Sequence, residues 1–380
     1  MPRSPLKIAL LSSQINWGGG EQLLFSLGEA LHQRGHEVLW IAPQASRLME
    51  RVHDSGMESM PIAGRHPSPL AIMRIRKALQ KKQIEVLHGN DAHSISWGGL
   101  LALGQDSIKL FGVKHTVFRV TSAAKYNWVV NRMICVSRAV RDVCLDGGIL
   151  ENRLAVVHGG IEPPDLDRLV ERQRACEALG IGMDTPLFCA VGSLISCKGY
   201  DTLIEAADQL RQRIGEFKLV ICGDGAMRTQ LQEMIDARKL NRYVQLLGFC
   251  DNATAWIAAS DVFVHPTLSE GLSLVTIAAQ MVGTPVVSTE VGGLREVIRC
   301  RYTSRPLGWI FASQEPSDLA ELMDGALNDH EKRRQVIDDA QQSALRHFNL
   351  DQMVNGFVEI YTDSSRADTR DASDRRIRLA

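Results

Sequence analysis

No run of apolar residues in this chain approaches the roughly 18 needed to span a bilayer, so a membrane-spanning helix is not expected. Its eight Cys include no Cys-x-x-Cys pair and no clustering with His, and several (Cys135, Cys189, Cys222) sit inside apolar runs. That argues against a zinc ribbon or a disulfide framework and predicts buried thiols in a reducing cytoplasm. No small-residue cleavage site follows the apolar run near the start, whereas a Gly-rich turn does, so Lys7–Leu11 reads as a first strand rather than a signal peptide. The turn also lacks the Gly-x-Gly-x-x-Gly spacing, and no acidic residue closes the second strand, Val38–Ile41. A dinucleotide site is therefore not expected there.

What is present is ordinary globular composition, 45% hydrophobic and 23% charged over 380 residues, long enough for two or three domains. The net charge of −1 conceals an asymmetry: residues 1–160 carry 19 Lys and Arg against 12 Asp and Glu, and the remainder 24 against 32. A basic half joined to an acidic half suggests that the first meets something anionic. Its densest piece runs from Met73 to Lys82, with apolar positions at helical spacing beside the charges. Either a solvated helix face or a helix resting on an anionic membrane surface accounts for it.

Short apolar strands alternate with helices along the whole chain, which predicts an α/β architecture of two doubly wound domains. Strand-like runs are Lys7–Leu11, Val38–Ile41, Val86–His88, Lys109–Val113, Met133–Ser137 and Leu154–Val157, then Leu187–Val191, Lys218–Cys222, Val244–Leu247, Val262–Val264 and Val286–Ser288. Helices are expected near 69–82, 96–103, 201–211, 316–328 and 350–361. Between the two sets lies His158-Gly159-Gly160-Ile161-Glu162-Pro163-Pro164, the best linker signal in the sequence. The expected limits are 1–162 for an N-terminal domain and 163–349 for a C-terminal one. A helix over 350–363 is expected to pack back on the first domain, and a polar tail over 364–380 to be disordered.

The most informative stretch is His265–Gly293: a strand ending at His265-Pro266, a polar turn to Gly271, a helix rich in Ala and Ile, the stop Gly283-Thr284-Pro285, and another strand. Its turn lies at the carboxyl end of its strand, where open α/β sheets bind ligands. Two further turns, Gly192–Gly199 and Gly223–Gly225, belong to the same edge. Together the three supply a lysine (Lys198), glycine-bounded N–H groups and a carboxylate (Glu270). A diphosphate wants the cation and the donors, and a sugar wants the carboxylate. Plainer roles stay open: Glu270 as a helix cap, and Lys198 as a surface lysine at a helix start.

The pattern resembles the family 4 glycosyltransferases. It rests on Gly18-Gly19-Gly20-Glu21 with Gly35-His36-Glu37-Val38, on Val136-Ser137 and on Val157 to Ile161. It continues in Val191-Gly192-Ser193-Leu194 with Lys198-Gly199, and in His265-Pro266 through Glu270-Gly271 to Val287. The resemblance covers nearly the whole chain. It implies the GT-B fold, two Rossmann-like domains facing across a cleft, and a retaining, metal-independent transferase using a nucleotide-diphosphate sugar. Lys198 would contact the donor diphosphate and Glu270 the donor sugar. Gly192, Ser193, Gly223, Phe249 and the backbone of Gly271, Leu272, Ser273, Leu274 and Val275 would complete the donor site. Gly18, Gly19 and Gly20 would approach the phosphates from the first domain, and His115 would face the transferred sugar, unless it is a helix-capping or core-edge histidine.

Two positions depart from the family: Ala278 stands where a second Glu, eight residues after the first, would hold the ribose, and Ser193 where an Arg is common. No Asp-x-Asp pair stands in these turns, and neither a metal nor a cofactor is expected. The expected acceptor is an envelope glycan or glycolipid, of lipopolysaccharide or exopolysaccharide type. The expected location is cytoplasmic, with peripheral contact at the membrane's inner face and no nucleic-acid partner. The rival readings are a nucleotide-sugar epimerase or phosphorylase, and a catalytically impaired protein of the same fold that binds glycans or serves as a partner.

Overall fold

Runs such as Lys7–Leu11 and Leu187–Val191 bury nearly every side chain, as strands do when helices cover both faces of a parallel sheet. The computed structural model describes residues 5–300, 305–312 and 314–363; the tail from 364, read as disordered, lies outside them. Among the described residues the strands form two all-parallel six-stranded sheets. The first contains β1 (Lys7–Leu11), β2 (Glu37–Ile41), β3 (Val86–Gly89), β4 (Lys109–Lys114), β5 (Arg132–Cys135) and β6 (Leu154–Val156), in the order β2-β1-β3-β4-β5-β6. The second contains β7 (Leu187–Val191), β8 (Lys218–Cys222), β9 (Val244–Gly248), β10 (Val262–His265), β11 (Val286–Thr289) and β12 (Trp309–Phe311), ordered β12-β11-β10-β7-β8-β9. Each is the doubly wound α/β arrangement, with ligand-binding turns expected at the carboxyl ends of its strands.

The chain divides after Gly160 and again before Leu350: Ile161–Asn349 form one unit, and the residues on either side form the other. In the flanking unit the helices are α1 (Gly19–Gln33), α2 (Arg47–Asp54), α3 (Pro69–Lys82), α4 (Ala92–Ala102), α5 (Ala123–Val129) and α6 (Arg138–Asp146). In the central unit they are α7 (Arg168–Leu179), α8 (Tyr200–Ile214), α9 (Arg228–Ala237), α10 (Ala253–Ala259), α11 (Leu274–Met281), α12 (Leu294–Ile298), α13 (Pro316–Asn328) and α14 (His330–His347). The last, α15 (Leu350–Thr362), belongs to the flanking unit, where Arg34 binds Asp351 at 2.6 Å and Asn355 at 2.8 Å.

Helix starts follow side-chain capping. Ser68 accepts from the Ala71 N–H before Pro69, Ser137 from Val140, and Asp91 with Ser94 closes a capping box. That box starts α4 at Ala92 rather than near Ser96. Two elements carried little sequence signal. Strand β12 is three residues long, and α14 buries only Ala340 and Ala344 along 18 residues. In α3 the helical apolar spacing is spent inward on Ile75 and Leu79. Among the described residues no helix is long and apolar enough to cross a membrane.

Close packing of α1 on the sheet depends on Gly28. A Cβ there would fall 2.2 Å from Trp40 Cζ2 and 2.7 Å from Leu10 Cδ1. Gly28→Ala is expected to destabilise the protein by about 1–3 kcal/mol through overpacking. Urea unfolding reads this directly; an unchanged midpoint would mean that α1 can shift off β1 and β2.

Candidate functional site

In the central unit the turns after β7, β8 and β10 are held so closely that only backbone fits between them. Gly223 has φ +151°, and a Cβ on it would fall 1.9 Å from the Gly192 carbonyl oxygen. Gly199, with φ +66°, similarly presses against the carbonyl of Pro266, 2.2 Å from a would-be Cβ. Cross-bonds stitch the turns: Leu268 N donates to Cys197 O at 2.7 Å, Thr267 Oγ1 to the same oxygen at 3.0 Å, and Leu194 N to Asp224 O at 3.0 Å. Glycine at these positions is therefore a requirement of close approach.

On this frame Lys198 ends a one-turn 3-10 helix, Ser196–Lys198, and points its ammonium at Glu270. The Nζ–Oε2 distance is 2.6 Å, and His265 Nε2 lies 3.2 Å from the same oxygen. Both charged side chains are largely buried, Lys198 being 17% and Glu270 16% exposed. Burial alone would raise the Glu270 carboxyl, but the hydrogen bond from His265 and the charge of Lys198 outweigh it, and its pKa falls to about 2. Burial lowers the pKa of His265, so its neutral ring donates through Nε2. The result is a fixed carboxylate and a fixed cation beside the first turn of α11.

That turn is capped by Ser273, whose hydroxyl accepts from Thr276 N at 3.3 Å. Glu270 is therefore not the cap, and Lys198 is not a free surface lysine. Gly271 and Leu272 are buried, Leu274 and Val275 half-buried, and the N–H groups opening such a helix have no partner within it. Phe249 follows β9 at the same edge with an exposed ring. Ser193 is exposed as well, whereas Ala278 is buried on α11.

In the flanking unit a second group gathers at the carboxyl ends of β1, β3 and β4. Gly18 precedes α1 and Gly19 opens it. Gly20 lies over the His115 ring, with a would-be Cβ 3.3 Å from Cδ2. His115 caps no helix; its Nε2 is 2.8 Å from Asn90 Oδ1. The Asn90 amide donates to Gly20 O at 3.2 Å and Glu21 Oε1 at 3.4 Å, so its oxygen accepts and the His115 proton sits on Nε2. Burial pushes the His115 pKa down to about 4, and the Nδ1 atom is buried without a partner. His88 is likewise kept neutral, its pKa lowered to about 3 by burial, and its Nδ1 meets the Tyr361 hydroxyl at 2.5 Å. Burial and the nearby Asp91 raise the Glu21 carboxyl to about 7.

The candidates thus fall into two groups, one per unit. Sequence reasoning missed Glu21, His88, Asn90, Asp91, His265 and Tyr361 as members. Glu21 directly follows the glycine turn, and Asn90-Asp91 directly follow a strand, a signal that was available. The chain's one Asp-x-Asp spacing, Asp165-Leu166-Asp167, lies outside these turns, and Asp167 is spent capping α7. Among the described residues no three His, Cys, Asp or Glu side chains stand together as metal ligands.

Residues 17–164 match the family model described as Glycosyltransferase Family 4, and residues 171–343 the one described as Glycosyl transferases group 1. An uncharacterized glycosyltransferase of Methanocaldococcus jannaschii is 28% identical over 60% of this chain and 59% of its own, so the match spans less than two thirds of that relative. The GPI3 subunit of phosphatidylinositol N-acetylglucosaminyltransferase from Saccharomyces cerevisiae is 23% identical over 79% of this chain and 68% of its own. Among solved structures, Anabaena HepE in complex with UDP and glucose superposes with a TM-score of 0.81 at 17% identity, covering 94% of this chain and all of that one. A Rickettsia africae glycosyltransferase gives 0.81 at 19%, covering 94% and 98%. At such identities the structural likeness is one of fold. With the two family matches in succession along one chain, the first over β2 to β6 and the second over β7 to β12, this protein belongs to the family 4, group 1 glycosyltransferases and has the GT-B fold.

Proposed function

We propose that the protein is a retaining, metal-independent transferase that moves a sugar from a nucleotide-diphosphate sugar to an envelope glycan or glycolipid. The observation that carries this reading is the buried Lys198–Glu270 pair beside the opening N–H groups of α11. Lys198 and those N–H groups would neutralise the departing diphosphate, while the Glu270 carboxylate accepts hydrogen bonds from the sugar. An oxocarbenium-like sugar would then be attacked on the face the diphosphate leaves. HepE was solved with UDP and glucose, which supports a nucleotide-sugar donor here.

A second reading, an impaired or glycan-binding member of the family, is favoured by Ser193 and Ala278. Two charge-assisted hydrogen bonds at about 1.5–3 kcal/mol each are absent with them. Calorimetric titration with UDP, GDP and ADP separates the readings. Binding of one of them below millimolar concentration is expected, and no binding by folded protein would sink the transferase reading. Because Ser193 is exposed, an arginine has room there, and Ser193→Arg is expected to tighten diphosphate binding about tenfold or more.

Lys198→Ala and Glu270→Ala are each expected to abolish transfer. Each also strands the other charge in a buried site, so a loss of about 1–3 kcal/mol in unfolding free energy should accompany it. The double variant Lys198→Met/Glu270→Leu is expected to regain stability but not activity. A loss in the double variant equal to the sum of the two single losses would show that the two groups are not coupled.

Glu21 gives a pH signature. Its folded pKa, about 7, lies above the ordinary value of 4.5, so the folded state holds the extra proton between them. Stability from this group is present at low pH and lost as pH rises through that window. The histidines act oppositely, losing stability as pH falls below 6.5. Comparing Glu21→Gln with wild type isolates the carboxyl: the variant's relative gain should grow between pH 5 and pH 8 by up to about 3 kcal/mol. A pH-independent difference would place the Glu21 pKa at its ordinary value.

A further inference from the structure

The outer faces of α3, α4 and α5 in the flanking unit carry an arrangement that the donor chemistry does not use. Leu70, Met73, Leu100, Leu103, Trp128 and Val129 are between 37 and 69% exposed. Single exposed apolar residues are normal, but these sit on three helices in contact, or in the case of Leu103 directly after one. Arg76 Nη1 on α3 donates to the carbonyls of Leu100 at 2.7 Å and Leu101 at 3.0 Å on α4. A Cβ on Gly99 of α4 would fall 2.4 Å from the side chain of Val129 on α5. Lys125 of α5 donates to Ala92 O at 2.8 Å, fixing the start of α4 as well. A face of this kind, apolar and contiguous, marks an interaction surface.

Charge selects the partner. The three helices together hold six Lys or Arg and no Asp or Glu. Arg76 and Lys125 are spent on backbone carbonyls, and Lys82 on Glu58 at 2.5 Å. Arg74, Lys77 and Lys81 stay exposed on the outer face of α3, beside Leu70 and Met73. The nearest acids in sequence are Asp91, spent on capping α4, and Glu85 and Asp106 in the turns beyond the helices. Exposed Leu, Met and Trp among unpaired cations is the composition of a surface that settles into the headgroup region of an anionic bilayer. The whole basic helix does not lie on the lipid through its periodic apolar stripe, because Ile75 and Leu79 of that stripe are buried within the unit.

We infer that the protein docks on an anionic bilayer through this face. Leu103, Trp128 and their apolar neighbours enter the headgroup layer, and Arg74, Lys77 and Lys81 pair with lipid phosphates. This adds a membrane partner to the transfer proposed above but is measured without nucleotide or turnover, so either reading can fail alone.

Flotation of the full chain with vesicles tests it. Binding is expected to equimolar phosphatidylglycerol and phosphatidylcholine but not to phosphatidylcholine alone, and to weaken as salt rises from about 0.05 to about 0.5 M. Each cation near such a surface is worth roughly fivefold, so Arg74→Gln/Lys77→Gln/Lys81→Gln should bind about a hundredfold more weakly. Leu103→Ser/Trp128→Ser keeps the charge and should weaken binding at least tenfold, with an unchanged thermal unfolding curve. No flotation at low salt, or flotation undiminished in both variants, would overturn the proposal. So would self-association in the ultracentrifuge that Leu103→Ser/Trp128→Ser abolishes while vesicles go unbound, which would give the face to a second copy.

Discussion

A carboxylate and an ammonium can share a largely buried site only if each holds the other in its charged form, and the central unit is built around that constraint at Glu270 and Lys198. Taking both charges out of water is costly, and their attraction repays it only when geometry is good and the remaining lone pairs are satisfied. Here His265 supplies the extra donor at 3.2 Å, and the contact of 2.6 Å supplies the geometry. Replacing such a pair with apolar side chains is often neutral or stabilising. Stability is therefore a poor reason for its presence, and under the proposed function the two preformed charges at the carboxyl edge of a sheet await a ligand carrying both phosphate and hydroxyl groups. The pair in turn depends on Gly199 and Gly223, since any side chain there would push the turns apart.

The flanking unit meets the opposite problem with neutral groups. His88 and His115 are both held uncharged by burial, and Glu21 is held protonated to near neutral pH. Their hydrogen-bond directions are set from outside the group. The Asn90 amide fixes the His115 proton on Nε2, leaving Nδ1 bare, and the Tyr361 hydroxyl holds His88 by its Nδ1. A bare acceptor on His115 thus stands beside the neutral His88 ring where both line one small cavity in this unit. Helix α15 contributes Tyr361 and Phe357 to the surroundings of His88, so the last described helix takes part in orienting groups at the far end of the sequence.

Much of the fold was legible because strands buried on both faces are unmistakable as short apolar runs, and the glycine and proline stops between them are local. Helix α14 was not, because 18 residues that bury two alanines have no stripe to detect. Strand β12 is too short to carry a period. At the site, the residue types could be read but the contacts could not. Lys198 and Glu270 are separated by 72 residues, and each looked like a group awaiting a ligand rather than the other's partner. His88 and Tyr361 lie 273 residues apart, and nothing local to either predicts their bond. The amphipathic spacing of α3 was real, but whether its apolar stripe was buried or exposed was a tertiary fact, and Ile75 and Leu79 are buried.

The two departures from the family pattern differ in kind. Ser193 is exposed at the turn after β7, so the missing arginine leaves open space that a ligand group or solvent can fill. Ala278 is 4% exposed on a helix whose neighbours Ile277 and Ala279 are fully buried, so a longer side chain there would have to displace packed atoms. Overpacking of that kind costs about 1–3 kcal/mol, comparable to the charge-assisted hydrogen bond a carboxylate would gain. The first departure is thus a change of surface chemistry, whereas the second is built into the packing of α11. Under the proposed function, a donor would rely less on ribose recognition than on its diphosphate and sugar ends, to which Lys198, Glu270 and the opening N–H groups of α11 are assigned.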